Sequence, residues 1–162
     1  MKRTLFMPLM AMLSVSIIVM ASGCKKPENI DTSSYVETIE YEELTMQTGV
    51  EWGLGGYSYA TLSFDGENLV GGNTWSGGGD KYDSSIADIG KAEGVSSINT
   101  IPSSFSESAE CIIGNGYVVR VKHYSSTNYY GYNYIRLFVT EIVTDESGNA
   151  LAVKLRYASL EI

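Results

Sequence analysis

The chain has 162 residues, enough for one domain with its own core. It carries 19 acidic and 11 basic side chains, for a formal net charge of −8. That balance argues against nucleic acid and anionic lipid headgroups as partners, since both repel it, and a single histidine, His123, excludes a zinc site built on several imidazoles.

The N-terminus opens with Lys2 and Arg3, continues as a charge-free, predominantly apolar run from Leu5 to Met20, and ends in Ala21-Ser22-Gly23-Cys24. A charged start, an apolar middle and a small-residue end are the layout of a secretory signal. The apolar stretch falls short of the ~20 residues that a membrane span needs, and Pro8 inside it disfavours a spanning helix. The small residues followed by cysteine resemble the lipobox of bacterial lipoproteins. That resemblance implies cleavage before Cys24 and acylation of its thiol and new amine. An ordinary signal peptide, or an uncleaved anchor, is the plainer alternative. Several acyl chains on one residue anchor durably, whereas one chain binds only marginally. Lys25 follows the cysteine where an inner-membrane lipoprotein of the familiar diderm pattern carries Asp, so the outer membrane is the expected destination, with the face left open.

Residues 1–23 are therefore expected to be a lipoprotein signal peptide, residues 24–34 a flexible tether and residues 35–162 a β-rich domain. The tether is polar, with Ile30 as its one large apolar residue, and cannot bury enough to fold. Cleavage removes two positive charges and takes the net from −8 to −10. The remaining charge is uneven: Pro27 to Asp80 holds ten acids and no Lys or Arg, whereas Lys81 to Ile162 holds seven bases and nine acids. High net charge also serves solubility, which is the simpler account of it. With Cys24 acylated, Cys111 has no intramolecular partner, and it reads as a small buried apolar residue.

From Tyr35 the hydrophobic pattern has period 2, the signature of strands. Tyr35 to Tyr41 alternates and Leu44-Thr45-Met46-Gln47 continues it. Tyr57 to Phe64 is a second strand, Asp65-Gly66 a hairpin turn, and Glu67 to Val70 the return. Gly71 to Asp80 reads as loop, with Gly77-Gly78-Gly79 too permissive for a regular element. Ser85 to Gly90 reads as a short strand, and Lys91 to Ile98 holds one helical turn closed by Pro102. Cys111-Ile112-Ile113, Gly114-Asn115-Gly116 and Tyr117 to Lys122 read as strand, turn, strand. Tyr134 to Val143 is a long strand, Asp145 to Asn149 a turn, and Ala150 to Tyr157 the return. Short strands with Gly-rich turns and no amphipathic helix of ordinary length predict an all-β, antiparallel sandwich or barrel-like domain.

Ile86 to Ile98 with Ile101-Pro102, Gly114-Asn115-Gly116-Tyr117-Val118-Val119-Arg120, Tyr134 to Val139 and Ala152 to Tyr157, taken in order, resemble a family of short Bacteroidales lipoproteins whose domain has no assigned function. The resemblance spans about residues 57 to 157. It implies a cell-envelope location and a β-rich fold, and carries over no catalytic residue. Where that family more often has Gly-His-Gly-Tyr, this chain has Asn115, which removes any role for a histidine at that turn.

The strongest functional candidate is the Tyr-rich segment with Tyr124, Tyr129, Tyr130, Tyr132 and Tyr134, interleaved with Asn128, Gly131 and Asn133. Tyr, Asn and Gly together supply rigid amphipathic contacts and adaptable hydrogen bonds, as in binding loops. Side-chain alternation places Tyr130, Tyr132, Tyr134 and Arg136 on one face. If the preceding strand pairs with this one, Arg120 and Lys122 join that face, and the set suits a sugar or a peptide. The competing reading is a hairpin stabilised by cross-strand aromatic pairs.

Trp52 and Trp75, in Gly-rich surroundings, read as sugar-stacking side chains or, more simply, as caps on the core. No phosphate-binding Gly-rich motif occurs. Asp80 with Asp83, or Asp145 with Glu146, offers oxygen ligands but matches no calcium loop, so no metal or other cofactor is expected. There is no Gly-x-Ser-x-Gly elbow. Cys111 and His123 would make a nucleophile and base only with an orienting third group that the sequence does not supply.

The expectation is a non-catalytic, lipid-anchored envelope protein, held to the membrane through Cys24, that binds a glycan or a protein partner through Tyr130, Tyr132, Tyr134, Arg136 and Arg120, with no nucleic acid. The alternatives are a structural or accessory lipoprotein of an envelope assembly and a glycoside hydrolase, which needs two carboxylates about 5–10 Å apart.

Overall fold

The computed structural model describes residues 37–54, 57–75, 79–125 and 129–161. The signal-like segment, Cys24 and the tether lie outside the described residues. Ten strands are present among those described: β1 (Glu42–Gln47), β2 (Glu51–Leu54), β3 (Tyr57–Phe64), β4 (Asn68–Gly71), β5 (Asn73–Trp75), β6 (Asp80–Lys91), β7 (Ser108–Glu110), β8 (Asn115–Ser125), β9 (Tyr129–Thr144) and β10 (Ala150–Ser159). The only helical element among them is a 3-10 turn, Val95–Ser97, within the stretch expected to hold one. The strands form a six-stranded sheet in the order β1-β10-β9-β8-β6-β5 and a four-stranded sheet in the order β2-β3-β4-β7. Every pairing between named strands is antiparallel. The two sheets pack face to face without closing, so the all-β expectation resolves as a sandwich.

Alternation explains the core. Val119 and Val121 on β8, Ile135, Leu137 and Val139 on β9, and Val153 and Leu155 on β10 point inward. They meet Leu54, Leu62, Phe64 and Leu69 of the smaller sheet. The other face of the larger sheet is also covered. The connection from β6 to β7 lays Val95 and Ile98 over Val118 and Phe138, and Leu160 completes this second cluster, with Ile39, Tyr41, Ile101 and Phe105 at its margin. Central β8 and β9 are thus buried on both faces: Tyr117, Val118 and Val119 are each 0% exposed, and Leu137, Phe138 and Val139 at most 1%. Antiparallel sheets more often leave one face to water.

Several local expectations need correction. Residues 37–41 alternate but are not a strand; they run as a strap across the outer face. Glu37 fixes the strap by accepting hydrogen bonds from the backbone N–H groups of Val95 (2.7 Å) and Ser96 (2.8 Å) and from the Ser96 hydroxyl (2.7 Å). The region 71–80 is not all loop, since Asn73–Trp75 pairs with β6. Ser85 to Gly90 belongs to a strand of 12 residues. Cys111-Ile112-Ile113 is not a strand and Gly114-Asn115-Gly116 is not a hairpin turn: β8 starts at Asn115. The preceding loop is held by the buried Tyr117 hydroxyl, which donates to the Glu110 carbonyl (2.7 Å) and accepts from the Ile112 N–H (2.8 Å). β9 begins at Tyr129, earlier than expected, and β10 runs on to Ser159.

Two glycines allow the chain to pass from the small sheet to the large one. A Cβ on Gly71 would lie 2.2 Å from the Ser84 carbonyl oxygen, and one on Gly72 would lie 1.7 Å from Thr61 Oγ1. Only hydrogen fits at those approaches. The Asp65-Gly66 hairpin forms as expected, with the Asp65 carboxylate accepting from the N–H groups of Asn68 (2.6 Å) and Glu67 (2.9 Å). These bonds hold its pKa below the ordinary carboxylate value.

Candidate functional site

The candidate residues gather where β9 outruns its neighbour. β10 ends at Ser159, opposite Ile135, whereas β9 starts at Tyr129. At ~3.3 Å per residue β9 projects about 20 Å beyond its partner. A last bond from the Leu160 N–H to the Tyr134 carbonyl (2.9 Å) closes the ladder before the chain leaves it. The resulting notch is a groove of about 1160 Å³ lined by residues 39–42, 132–136 and 157–161. One wall is β9 with Tyr132, Tyr134 and Arg136; the other carries Glu40, Glu42 and Glu161.

β8 pairs with β9 so that Arg120 lies opposite Tyr134 and Lys122 opposite Tyr132. Directly opposed residues share a face, so Arg120 and Lys122 do join the tyrosines on the outer side of the sheet. Tyr132 is 44% exposed, the most exposed large aromatic side chain among the described residues. Its ring lies 6.2 Å from that of Tyr134 at 44°. Tyr134 leans in turn on Phe105, at 6.2 Å.

The Arg120 guanidinium sits between two rings, 4.4 Å from the centroid of Phe105 and 5.1 Å from that of Tyr132. Its Nε donates to Ser85 Oγ at 3.2 Å. Such stacking fixes a planar cation at little entropic cost. Arg136 lines the groove but is committed to the fold. Its Nε and Nη2 donate to the Ser159 carbonyl (3.0 and 2.9 Å) and its Nη1 to the Ile98 carbonyl (3.2 Å), which ties the end of β10 to the outer connection. Tyr130 is on β9, but its side chain lies outside the described part of the structure, as does that of Trp75 on β5.

A polar cluster extends the face. Tyr124 Oη donates to Asp83 Oδ2 (2.7 Å), Asp83 pairs with Lys81 (3.1 Å), and the ammonium groups of Lys81 and Lys122 stand 5.3 and 4.9 Å from the Tyr124 ring. Tyr124 first, and then Asp83, raise the Lys81 pKa above its usual value. Phe105 was not singled out in the sequence. It follows Pro102-Ser103-Ser104 with no periodicity to mark it, and only the fold carries it to the tyrosines.

The other candidates take structural places. Trp52 is on a strand, half-buried, with its ring edge-on to Tyr157 at 4.8 Å. Tyr157 also donates to the Glu42 carboxylate. Cys111 is 6% exposed, and burial pushes its thiol up from 9.0 to about 12. It precedes the first residue of β8, whereas His123 is near the last, so the two are separated by about 26 Å of strand. His123 instead stacks on Tyr82 (4.4 Å, 8°), with Nε2 3.7 Å from Asp80. Asp145 accepts from the Asn149 side chain and from the N–H groups of Ser147 and Asn149, which makes it the organiser of a turn. No group of three metal-ligating side chains occurs among the described residues.

What the arrangement can do is bind. It offers aromatic rings and facing carboxylates in an open notch, with the stacked Arg120 guanidinium beside Tyr132, outside the groove's own lining. No protein-family model matches this chain, and no curated protein or solved structure matches it either.

Proposed function

We propose that the protein is a lipid-anchored, non-catalytic binding module of the cell envelope, carried on the outer membrane by Cys24, and that the notch beside β9 takes a saccharide. The observation that carries this reading is Tyr132, an exposed ring at the lip of a groove whose walls supply both hydrogen-bond donors and acceptors. A sugar ring presents an apolar face to an aromatic ring and hydroxyls to the polar groups around it, and binding sites commonly combine apolar walls with a few convergent polar groups. Tyr gives that contact area at low entropic cost. The Cys24 motif supports the location, and the polar stretch after it supports a domain held off the membrane on a tether.

The test is an oligosaccharide and peptide array probed with the wild-type protein and with Tyr132→Ala. Tyr132 is exposed, so its truncation leaves the core intact. Retention of saccharides and a drop of at least about tenfold in Tyr132→Ala, or about 1.4 kcal/mol, is the expected result. Retention of peptides alone, or an unchanged Tyr132→Ala, refutes the assignment.

A second reading, an accessory lipoprotein of an envelope assembly, draws on the opposite end of the sandwich. There Val50 and Leu151 are each 51% exposed, and the Leu151 carbonyl accepts from the Thr48 N–H. Crosslinking in intact envelopes, followed by recovery of partners lost in a Leu151→Lys variant, tests it; recovery of the uncrosslinked monomer alone counts against it.

A further inference from the structure

We infer that the saccharide is anionic, with a carboxylate or sulfate beside its hydroxyls, and that Arg120 meets its charge; this rests on the reading of the notch as a sugar site. Cations withdrawn from water are ordinarily given counter-ions, and this protein follows that rule at Arg156 and Lys81. Arg156 stands 3.3 Å from Glu43 and 3.9 Å from Glu37, and Lys81 is 3.1 Å from Asp83. Arg136 has no carboxylate among the described residues within salt-bridge distance either, but its Nε, Nη1 and Nη2 all donate to the Ser159 and Ile98 carbonyls, a compensation that Arg120 lacks. Arg120 is half-buried between Phe105 and Tyr132, yet no carboxylate among the described residues lies within salt-bridge distance of it, in a chain with 19 acids.

Among the described residues its only protein acceptor is Ser85 Oγ, bonded to Nε. The terminal nitrogens form the fork that takes two oxygens of a carboxylate or of a tetrahedral oxyanion in bidentate fashion. Lys122, one position along β8 on the same face, adds a second positive charge beside Tyr132.

The far wall selects among anions. Glu40, Glu42 and Glu161 repel a ligand charged along its whole length but accept hydrogen bonds from hydroxyls. A molecule that satisfies both this wall and Arg120 has hydroxyls on one side and an anionic group on the other, stacked over Tyr132 between them. That describes a uronate-bearing or sulfated sugar. An acidic peptide or a nucleic acid meets repulsion from this wall and from the net charge of −8.

The experiment is an array in which each acidic oligosaccharide, uronate-bearing or sulfated, is matched to its neutral counterpart, with a Glu-rich peptide included, probed with the full-length protein at low and high salt. The expected result is at least tenfold preference for the acidic members, weakened by salt and abolished in Arg120→Gln. Preference for uronate or for sulfate identifies the source of the charge. If Arg120→Gln loses its native circular dichroism, Lys122→Gln replaces it, with about a threefold loss expected for the acidic members and none for the neutral ones.

Equal retention of neutral and acidic members overturns the inference while leaving the sugar reading intact. Retention of no saccharide overturns both. Retention of the Glu-rich peptide on a par with the acidic sugars, or an acidic preference unchanged in folded Arg120→Gln or Lys122→Gln, also overturns it.

Discussion

Replacing Glu37 with Gln removes one charge from the point at which the strap of residues 37–41 is fastened to the outer face. The Glu37 side chain is 8% exposed, and its carboxylate accepts three hydrogen bonds of 2.7 to 2.8 Å, from the backbone of Val95 and Ser96 and from the Ser96 hydroxyl. Arg156 stands 3.9 Å away. Burial alone raises the pKa of this carboxyl; the Ser96 hydroxyl, the two N–H groups and Arg156 outweigh it and hold the net value below the usual 4.5. Gln keeps one acceptor and turns an NH2 group toward a backbone donor. Hydrogen bonds to charged groups contribute about 1.5–3 kcal/mol each, so Glu37→Gln should cost about 2 kcal/mol at neutral pH.

The pH dependence is the sharper test. A carboxyl whose folded pKa is depressed stabilises the fold above its unfolded pKa, and that contribution is lost as pH falls through the folded value. The gap between wild type and Glu37→Gln, measured by urea unfolding at a series of pH values, should be full at about pH 7 and close as the pH drops below about 4.5. A gap under about 0.5 kcal/mol at pH 7, or one that stays constant down to about pH 3, refutes the assignment of this carboxylate as a charged fastener.

Two further outcomes follow from the packing. Gly71→Ala forces a methyl against the Ser84 carbonyl, at 2.2 Å, and must push β4 from β6; overpacking of this kind costs about 1–3 kcal/mol, so Tm should fall by roughly 5 °C, and an unchanged Tm would sink the argument. Cys111 should resist a thiol-alkylating reagent at about pH 8 in the native protein and react once urea unfolds it; rapid native labelling contradicts its burial. Because the folded thiol titrates near 12 against 9.0 when free, its contribution to stability is full below about pH 9 and declines as the pH rises toward 12.

Strands that carry their own pattern were legible in the sequence. Tyr57 to Phe64, Tyr134 to Val143 and Ala150 to Tyr157 alternate or run apolar between turn residues, and Asp65 and Asp145 close their turns with their own side chains. Misreadings fall where a distant partner decides. Asn73–Trp75 is a strand because β6 pairs with it; three residues between glycine-rich stretches are too few to show a pattern of their own. Cys111-Ile112-Ile113 is apolar because Cys111 is buried and Tyr117 secures the loop, which imitates a strand in the sequence. Residues 37–41 alternate because Ile39 and Tyr41 face the second cluster while Glu37 reaches Ser96, 59 residues away. At the site, the alternation of Tyr132, Tyr134 and Arg136 was readable. Phe105, the stacking of Arg120 and the commitment of Arg136 to backbone carbonyls were not.

Local sequence alone therefore determines that this is an antiparallel β protein, that Asp65-Gly66 and Asp145 to Asn149 turn, and that Cys111 is a core residue. It determines these because alternation, turn chemistry and hydrophobicity act between near neighbours in the chain. Which strands share a sheet, that β8 and β9 are buried on both faces, and that β10 stops short of β9 to leave a notch were decided only in the tertiary structure. Those features depend on contacts between segments far apart in sequence. The same packing that lays residues 92–107 over the outer face sets Phe105 against Arg120 and leaves that cation beside an exposed tyrosine, with no carboxylate among the described residues to pair with it.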